Sequence, residues 1–253
     1  MLRHRVIPCL LLRQGGLVKT RRFAKPKYVG DPINAIRIFN DKEADELMVL
    51  DITASREARE PPYGLVEQFA GECFMPLSYG GGIRTVEQAR RLFALGVEKV
   101  CVQTGALDDS TLVTRLAERF GAQAVVVSID VKRSWLGHRK VYAAATGKTL
   151  RWPWVEHMQR LAAAGAGEVL VSAVDRDGMM QGMDLDMIHE ASHAVSVPLI
   201  ASGGVGSLAH VRAAVAAGAS AVAVGAFFVF QGPHRAVLIT YPRYQELEQL
   251  FAP

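Results

Sequence analysis

The stretch PLSYGGGIRTVEQARRLFALGVEKVCVQTGAL, residues 76–107, predicts a buried strand, a glycine turn, an amphipathic helix and a second strand. The stretch PLIASGGVGSLAHVRAAVAAGASAVAVGAFF, residues 198–228, has the same order of elements. Pro76 and Pro198 are 122 residues apart, and so are Gly82 and Gly204. A fixed spacing between matched elements indicates that the chain consists of two halves built on one plan.

Each half predicts four strand–helix units, because amphipathic stretches such as TVEQARRLFAL follow short β-rich runs. The predicted strands lie near residues 5–11, 46–52, 75–79, 98–103, 123–130, 168–174, 198–201 and 220–225. Eight such units predict a (β/α)8 TIM barrel with half-barrel internal duplication. A doubly wound sheet is the alternative, but duplication of four units favours closure. We expect one domain, residues 1–253, with half-barrels at roughly 1–121 and 122–253 and a hairpin insert at about 131–151.

Composition excludes several classes of protein. The net charge of +4, without a basic helix interleaved with aromatics, does not indicate a nucleic-acid partner. The longest apolar run, residues 221–230, is too short to span a bilayer, so we expect no membrane association. The N-terminus resembles a core strand rather than a signal peptide, and three scattered cysteines predict reduced thiols in the cytoplasm.

Two motifs match known patterns but lack the partners that those patterns need. HEASH, residues 189–193, matches the zinc-protease pattern, yet it falls on an outer helix and no third ligand follows at the expected spacing. GVGSLA, residues 204–209, matches the dinucleotide pattern, but the acidic residue expected about 20 residues later is missing. We therefore expect neither a metal nor a cofactor.

The glycine turns GGGIRT and SGGVGS suit anions, because glycine lets the backbone approach a ligand and a helix start offers N–H groups. Tight barrel turns alone are the alternative explanation. Two symmetric sets favour a substrate with a phosphate at each end, or a diphosphate. We define the first cradle as Gly81, Gly82 and Thr104, and the second cradle as Ser202, Gly203, Gly204, Gly225 and Ala226. Asp177 and Gly178, after the sixth strand, are further candidates for substrate binding.

Asp130 ends the apolar run VVVSID, where a buried carboxylate is costly unless it has a role in catalysis, substrate binding or an ion pair. Counting alternate residues places Ser128 and Val126 on the same inward face. The same count on the first strand makes Leu11 the half-barrel counterpart of Asp130. The basic cluster KTRRFAKPK, residues 19–27, is either a solvated loop or one that closes over a phosphorylated substrate.

Over nearly its whole length the chain resembles the cyclase subunit of imidazole glycerol phosphate synthase, from histidine biosynthesis. The matching motifs are IPCL, Lys19, GDP at Gly30, ADEL with LDITAS, GGGIR, SID, AGAGE, DRDG and ASGG. The resemblance implies a barrel that uses two aspartates at its mouth as acid and base. Asp130 matches one of them, but Leu11 replaces the other, and a leucine cannot transfer a proton. We expect Lys19, with an ordinary pKa near ~10.4, to hold phosphate rather than to act as a base.

The resemblance also implies a glutaminase partner at the N-terminal face, from which ammonia travels through the barrel. Arg5, Glu46, Lys99 and Glu168 match the family's ring of charges at the ammonia entrance. A salt-bridge cluster that only stabilises the barrel is the alternative, since inward charges must pair or be hydrated.

The stretches VIPCLLL, KPKYVGDPINAIRIFN, ECFMP and GPHRAVLITYP are similar to a divergent branch of the family. That branch is associated with acetamidino sugars of surface polysaccharides such as the O-antigen of lipopolysaccharide. Three hypotheses follow: ammonia-dependent amidination of a nucleotide sugar, with an ATP-dependent enzyme activating the amide; true imidazole glycerol phosphate synthesis; or a non-catalytic scaffold that channels ammonia.

Overall fold

The computed structural model describes residues 4–252, and its centre is a ring of eight strands. In chain order these are β1 (Arg5–Arg13), β2 (Leu47–Asp51), β3 (Leu77–Gly80), β4 (Lys99–Val102), β5 (Val125–Arg133), β6 (Glu168–Ala173), β7 (Leu199–Ser202) and β8 (Ala221–Val224). Val, Ile and Leu dominate these runs, as expected for strands that are buried on both faces. Every strand predicted from the sequence is present.

Each barrel strand pairs in parallel with the strands before and after it in the chain. β1 pairs with β8 through Arg5 and Ala221 and with β2 through Cys9 and Met48. The other neighbours pair in sequence order, including β5 with β6, so the ring is closed. Closure confirms the (β/α)8 TIM barrel and excludes the open doubly wound sheet.

Helices cover the outside of the ring. They are α1 (Pro32–Asp41), α2 (Tyr63–Glu72), α3 (Val86–Ala94), α4 (Thr104–Asp108), α5 (Thr111–Phe120), α6 (Trp154–Ala163), α7 (Leu185–Ala194), α8 (Leu208–Ala216) and α9 (Tyr244–Phe251). Thr85 caps α3 by accepting from the Gln88 N–H, and Ser207 caps α8 by accepting from the His210 N–H. Such caps satisfy N–H groups that a helix start leaves without a partner. Thr85 and Ser207 are again 122 residues apart.

Alternation along the strands separates two apolar cores. One core fills the layer between strands and helices. The other lies inside the ring and contains Ile7, Cys9 and Val126, with Leu11 and Leu50 packed partly buried against it. The inward faces predicted for β1 and β5 are therefore confirmed for these residues.

Three excursions follow strand ends at the mouth, which is the C-terminal end of the barrel. The first hairpin pairs Gly16–Arg21 with Ala24–Gly30. The second continues β5 into an antiparallel pair with Arg139–Ala143, which in turn pairs with Lys148–Thr149. The third pairs Phe230–Gln231 with Ala236–Val237. The basic cluster of residues 19–27 thus forms most of a β-hairpin rather than an irregular loop.

The remaining sequence motifs lie away from the mouth or make no cluster. His189 and His193 lie on α7, both exposed, with ring centroids 4.2 Å apart. The three cysteines are free thiols; Cys9 and Cys101 are buried inside the barrel, while Cys73 is only partly buried. Within residues 4–252, no helix has the length and apolar character that crossing a membrane requires.

Candidate functional site

A cavity of about 570 Å³ opens at the mouth, among the ends of the barrel strands and the first two hairpins. It gathers nearly all of the mouth residues predicted from the sequence. Those that line it are Leu11, Lys19, Gly81, Thr104, Asp130, Asp177, Gly178, Ser202, Gly203, Gly204, Gly225 and Ala226. Gly82 lies beside the cavity without lining it. The cavity is therefore the candidate active site.

Asp130 is a buried acid of this cavity, as is Asp51 at the end of β2. The Asp130 Oδ2 accepts a hydrogen bond from Gln103 Nε2 at 2.5 Å, and its Oδ1 accepts from Ser128 Oγ at 3.4 Å. Burial raises the pKa of Asp130 to about 7, although hydrogen bonds from Gln103, Ser172 and Ser128 oppose the shift. A carboxyl group with this pKa populates both protonation states at neutral pH, which suits an acid–base catalyst.

Gln103 connects Asp130 to the second hairpin. Its Oε1 accepts from the Ala144 N–H at 3.3 Å, and its Nε2 also donates to the Tyr142 carbonyl at 3.4 Å. Its two contacts to the hairpin depend on chain segments about 40 residues apart, so no local pattern indicated them.

Leu11 gives the cavity an apolar wall. It pairs with Leu50 on β2 and with Val18 on the first hairpin. A Cβ on Gly80 would come within 2.7 Å of Leu50 Cδ2, so the absence of a side chain at Gly80 makes room for this leucine pair. Leu11 and Leu50 belong to the edge of the interior apolar core and also line the cavity. The mouth therefore has a leucine wall on β1 and β2 and a buried acid on β5.

Lys19 lies deep in the cavity. Its Nζ donates to the Cys9 carbonyl at 2.5 Å. Burial lowers the pKa of Lys19 below the ordinary lysine value, while Cys9 and Asp177 oppose the shift. The expectation of an ordinary pKa is therefore wrong, because the residue before the exposed basic run turns into the cavity.

The second cradle lies next to Lys19. A Cβ placed on Gly225 would stand 3.2 Å from Lys19 Nζ, so the amine is aimed at this turn. Gly203 and Gly204 have positive φ angles of 98° and 101°, and Gly204 accepts from the Gly182 N–H at 2.9 Å. Neighbouring backbone requires these glycines, since a Cβ on Gly203 would lie 2.7 Å from the Ala173 carbonyl oxygen. The amine beside this turn is a chemistry suited to phosphate.

The first cradle differs from the second. The Gly82 N–H donates to Ser55 Oγ at 3.1 Å, so a side chain of the chain itself occupies this donor. Thr104 begins the short helix α4 and lines the cavity with Gly81. The two cradles occupy corresponding positions in the repeat, but in the structure Lys19 lies beside the second one.

Asp177 and Gly178 hold the first hairpin in place. Asp177 Oδ2 accepts from Thr20 Oγ1 at 2.6 Å and from the Phe23 N–H at 3.2 Å, and the Asp177 carbonyl accepts from the Arg22 N–H at 3.0 Å. Burial raises the pKa of Asp177, opposed by the Thr20 and Phe23 hydrogen bonds. A side chain at Gly178 would collide with the Thr20 carbonyl. Asp177 and Gly178 both line the cavity, but the contacts described here show that they hold the first hairpin in position.

Four charged residues form a ring at the opposite, N-terminal end of the barrel. Glu46 Oε2 lies 2.5 Å from Arg5 Nη1 and 3.0 Å from Lys99 Nζ. Glu168 Oε1 lies 3.0 Å from Arg5 Nη2 and 3.2 Å from Lys99 Nζ. Ser78 Oγ donates to Glu46 at 2.8 Å. Each cation therefore contacts both acids. Burial disfavours the charge on Arg5, but Glu168 and Glu46 raise its pKa overall.

An apolar zone lies between this ring and the mouth cavity. Its buried members are Ile7, Cys9, Met48, Cys101, Val126, Leu170, Ile200, Ala221 and Ala223. Burial raises the pKa of Cys9 to about 11 and places that of Cys101 still higher, so neither thiol ionises at neutral pH. The zone between the charged ring and the mouth cavity is therefore lined by neutral groups.

Comparison with known proteins gives one family and several relatives. The family model described as "Histidine biosynthesis protein" matches residues 5–233. A Pseudomonas aeruginosa protein provisionally named imidazole glycerol phosphate synthase subunit hisF2 is 51% identical over 253 residues, covering 98% of this chain and 99% of its own. A Leptospira interrogans protein, provisionally named subunit HisF, is 45% identical over 253 residues, covering 99% and 100%. An Alkaliphilus metalliredigens protein named imidazole glycerol phosphate synthase subunit HisF is 42% identical over 208 residues, covering 82% of each chain.

Proposed function

This chain belongs to the histidine biosynthesis protein family, and on that premise we propose that it is the ammonia-accepting subunit of a glutamine amidotransferase. A glutaminase binds at its N-terminal face and supplies ammonia. The acceptor is the acetamido group of a nucleotide sugar, which becomes an acetamidino group for a surface polysaccharide. A separate ATP-dependent enzyme activates the acceptor amide.

The charged ring and the apolar interior support the passage of ammonia. Arg5, Lys99, Glu46 and Glu168 satisfy one another, so opening the ring requires one ion pair to exchange partners with the glutaminase or with water. Beyond the ring, thiols and alkyl groups favour neutral ammonia over ammonium, because an unpaired charge is costly in an apolar lining. Ammonia then reaches the mouth in its nucleophilic form.

At the mouth, the proposed step replaces an activated oxygen by nitrogen. Once ATP has converted the amide oxygen into an O-phosphoryl or O-adenylyl imidate, ammonia attacks the imidate carbon and forms a C–N bond. The C–O bond breaks, and phosphate or AMP leaves with the electron pair. Asp130, whose pKa is about 7, accepts the proton that the attacking nitrogen releases. Lys19 and the second cradle hold a phosphate of the nucleotide sugar.

Leu11 is the observation that carries this proposal. It lines the cavity across the ring from Asp130 and packs with Leu50, so no carboxylate faces Asp130 from β1. A ring closure that needs two proton-transfer groups would lack one of them in this chain, and its rate would fall by about 10²–10⁴-fold. Transfer of ammonia to an activated imidate needs one base, and the leucine wall suits the methyl of an acetamido group.

A second candidate function is cyclisation in histidine biosynthesis, which the names of the relatives favour. Growth tests separate the two. The chain, expressed with its glutaminase in a strain that lacks the histidine cyclase subunit, is expected not to restore growth without histidine. The Leu11→Asp variant is expected to restore it partly. Growth of the unmodified chain at the normal rate would refute the amidination proposal.

The ammonia route has its own test. Amidination with glutamine is expected to fall more strongly than amidination with free ammonium when Lys99 is changed to Glu, because the altered ring blocks passage without changing the mouth. Arg212→Glu, on an exposed arginine in the middle of α8, is the matched control and should leave both rates unchanged. Equal loss with both nitrogen sources would contradict a gate.

A further inference from the structure

The charges of this chain are strongly segregated. Residues 13–30, 131–153 and 225–240, which follow β1, β5 and β8 at the mouth, together hold thirteen lysines and arginines and no aspartate or glutamate. The rest of the chain therefore holds sixteen lysines and arginines against all 25 acids. The net charge of +4 is therefore the sum of a strongly basic mouth and an acidic remainder of the chain.

Most of these charges face solvent without a carboxylate partner. Lys19 is buried, and Arg133 and Arg139 pair with Asp184. None of the other ten lysines and arginines takes part in an ion pair within residues 4–252. Repulsion among uncompensated charges destabilises the isolated chain. Such an arrangement is expected where an anionic partner covers the surface.

Large apolar side chains are exposed on the same three segments. They carry six of the nine exposed large hydrophobic residues of the described chain: Tyr28, Trp135, Leu136, Trp152, Val237 and Leu238. Trp135 is 92% exposed and Leu136 is 61% exposed, and both lie at the tip of the second hairpin. None of the six lines the cavity, so a small substrate bound there does not explain their exposure.

We propose that the three segments form a docking surface for an acidic protein, which sits over the mouth and receives ammonia from the barrel or presents the activated acceptor to it. Trp135 and Leu136 are its apolar anchors, and the surrounding lysines and arginines supply charge complementarity. Exposed tryptophan is enriched among the residues that dominate protein interfaces. The inference rests on the proposed function, in which an ATP-dependent enzyme acts on the same acceptor.

A protein fits this surface better than nucleic acid or a membrane. Three of the six exposed apolar residues, Leu136, Val237 and Leu238, are aliphatic and give bases nothing to stack on, whereas a surface that binds bases relies on aromatic platforms. Residues of all three segments line the cavity, so a bilayer against all three would cover the path that substrate and ammonia share. A folded partner with its own cleft leaves that path continuous.

Binding of the purified ATP-dependent activating enzyme to the full chain tests the proposal. Complex formation is expected at low salt and should weaken steeply at high salt. The double variant Trp135→Ala/Leu136→Ala should bind about 30-fold more weakly, as for a hot-spot truncation. Lys132→Glu/Lys140→Glu should slow association. Phe74→Ala is the matched control, since Phe74 is 90% exposed but precedes β3 at the opposite end.

Unchanged affinity of the Trp135→Ala/Leu136→Ala variant, or no binding by the unmodified chain, would overturn the docking surface. The docking surface would also be overturned if the unmodified chain bound another ligand more tightly than the activating enzyme and the same variant abolished that binding. The ligands to compare are vesicles of phosphatidylcholine with phosphatidylglycerol and a single-stranded oligonucleotide. Glutamine-dependent amidination in the reconstituted system separates this inference from the proposed function. No product from the unmodified proteins refutes the function, whereas normal product from the variant refutes only the docking.

Discussion

Replacing Asp130 with asparagine should change the pH dependence of stability in a predictable direction. Burial raises the pKa of Asp130 from 3.8 to about 7 in the folded protein, whereas the unfolded chain keeps an ordinary value. Between these pH values the folded state holds a proton that the unfolded state releases. The stabilisation is therefore complete below the unfolded pKa and is lost as the pH rises through the folded one.

The size of the effect follows from the two pKa values. A difference of about 3 pKa units corresponds to about 4 kcal/mol, at about 1.36 kcal/mol per unit. Asparagine resembles the protonated acid in shape and carries no charge. The variant should thus gain about 4 kcal/mol in free energy of unfolding over the unmodified chain between about pH 4 and about pH 8. Its amidination rate should fall by about 10²–10⁴-fold.

Urea-induced unfolding of both proteins across this range measures the difference directly. All other titrating groups are common to the two chains, so their contributions cancel. Ser128→Ala is the matched control, because it removes a weak hydrogen bond to Asp130 and keeps the acid. Parallel stability curves for Asp130→Asn and the unmodified chain would mean that folding does not raise the pKa of Asp130, and would refute the pKa near 7 from which its acid–base role is argued.

Three further outcomes are expected at the mouth. Lys19→Met should abolish binding of inorganic phosphate at the second cradle, measured by calorimetry, and unchanged affinity would exclude Lys19 as a phosphate ligand. Ser55→Ala frees the Gly82 N–H and should increase sulfate occupancy at the first cradle in crystals; lower occupancy would contradict that role for Ser55. Asp177→Ala should cost about 1–3 kcal/mol and speed hydrogen exchange at Phe23, and unchanged exchange would show that other contacts fix the hairpin.

Local sequence was sufficient for the barrel because each strand and helix is short and strongly patterned. The 122-residue repeat favoured a closed barrel over an open sheet, a choice that hydrophobic periodicity alone does not decide. Counting alternate residues from Asp130 placed Val126 inside the ring, since side chains alternate strictly along a strand. These features depend on neighbours in sequence, and that is why they could be predicted.

The first hairpin could not be predicted, because its turn lacks the residues that usually form one. Arg22 and Phe23 occupy positive φ angles of 53° and 58°, where Asn-Gly is the usual choice. Asp177, far along the chain, compensates by accepting both N–H groups. The hydrogen bond from Gly82 to Ser55 and the burial of Lys19 could not be predicted from the sequence for the same reason. Each depends on a contact that exists only after the barrel closes.

Burial connects the two titratable groups that define the mouth. It raises the pKa of Asp130 and lowers that of Lys19, so burial moves both groups toward their neutral forms. A phosphate in the second cradle would raise the pKa of Lys19 again and restore an ammonium that pairs with it. An acid at position 11 would place another carboxyl in the same cavity and push the pKa of Asp130 higher still. In the proposed function, Leu11 therefore keeps the pKa of Asp130 close to neutral pH, so that Asp130 acts as a single base. Ammonia transfer requires one base, whereas the two-acid cyclisation requires a second acid at position 11.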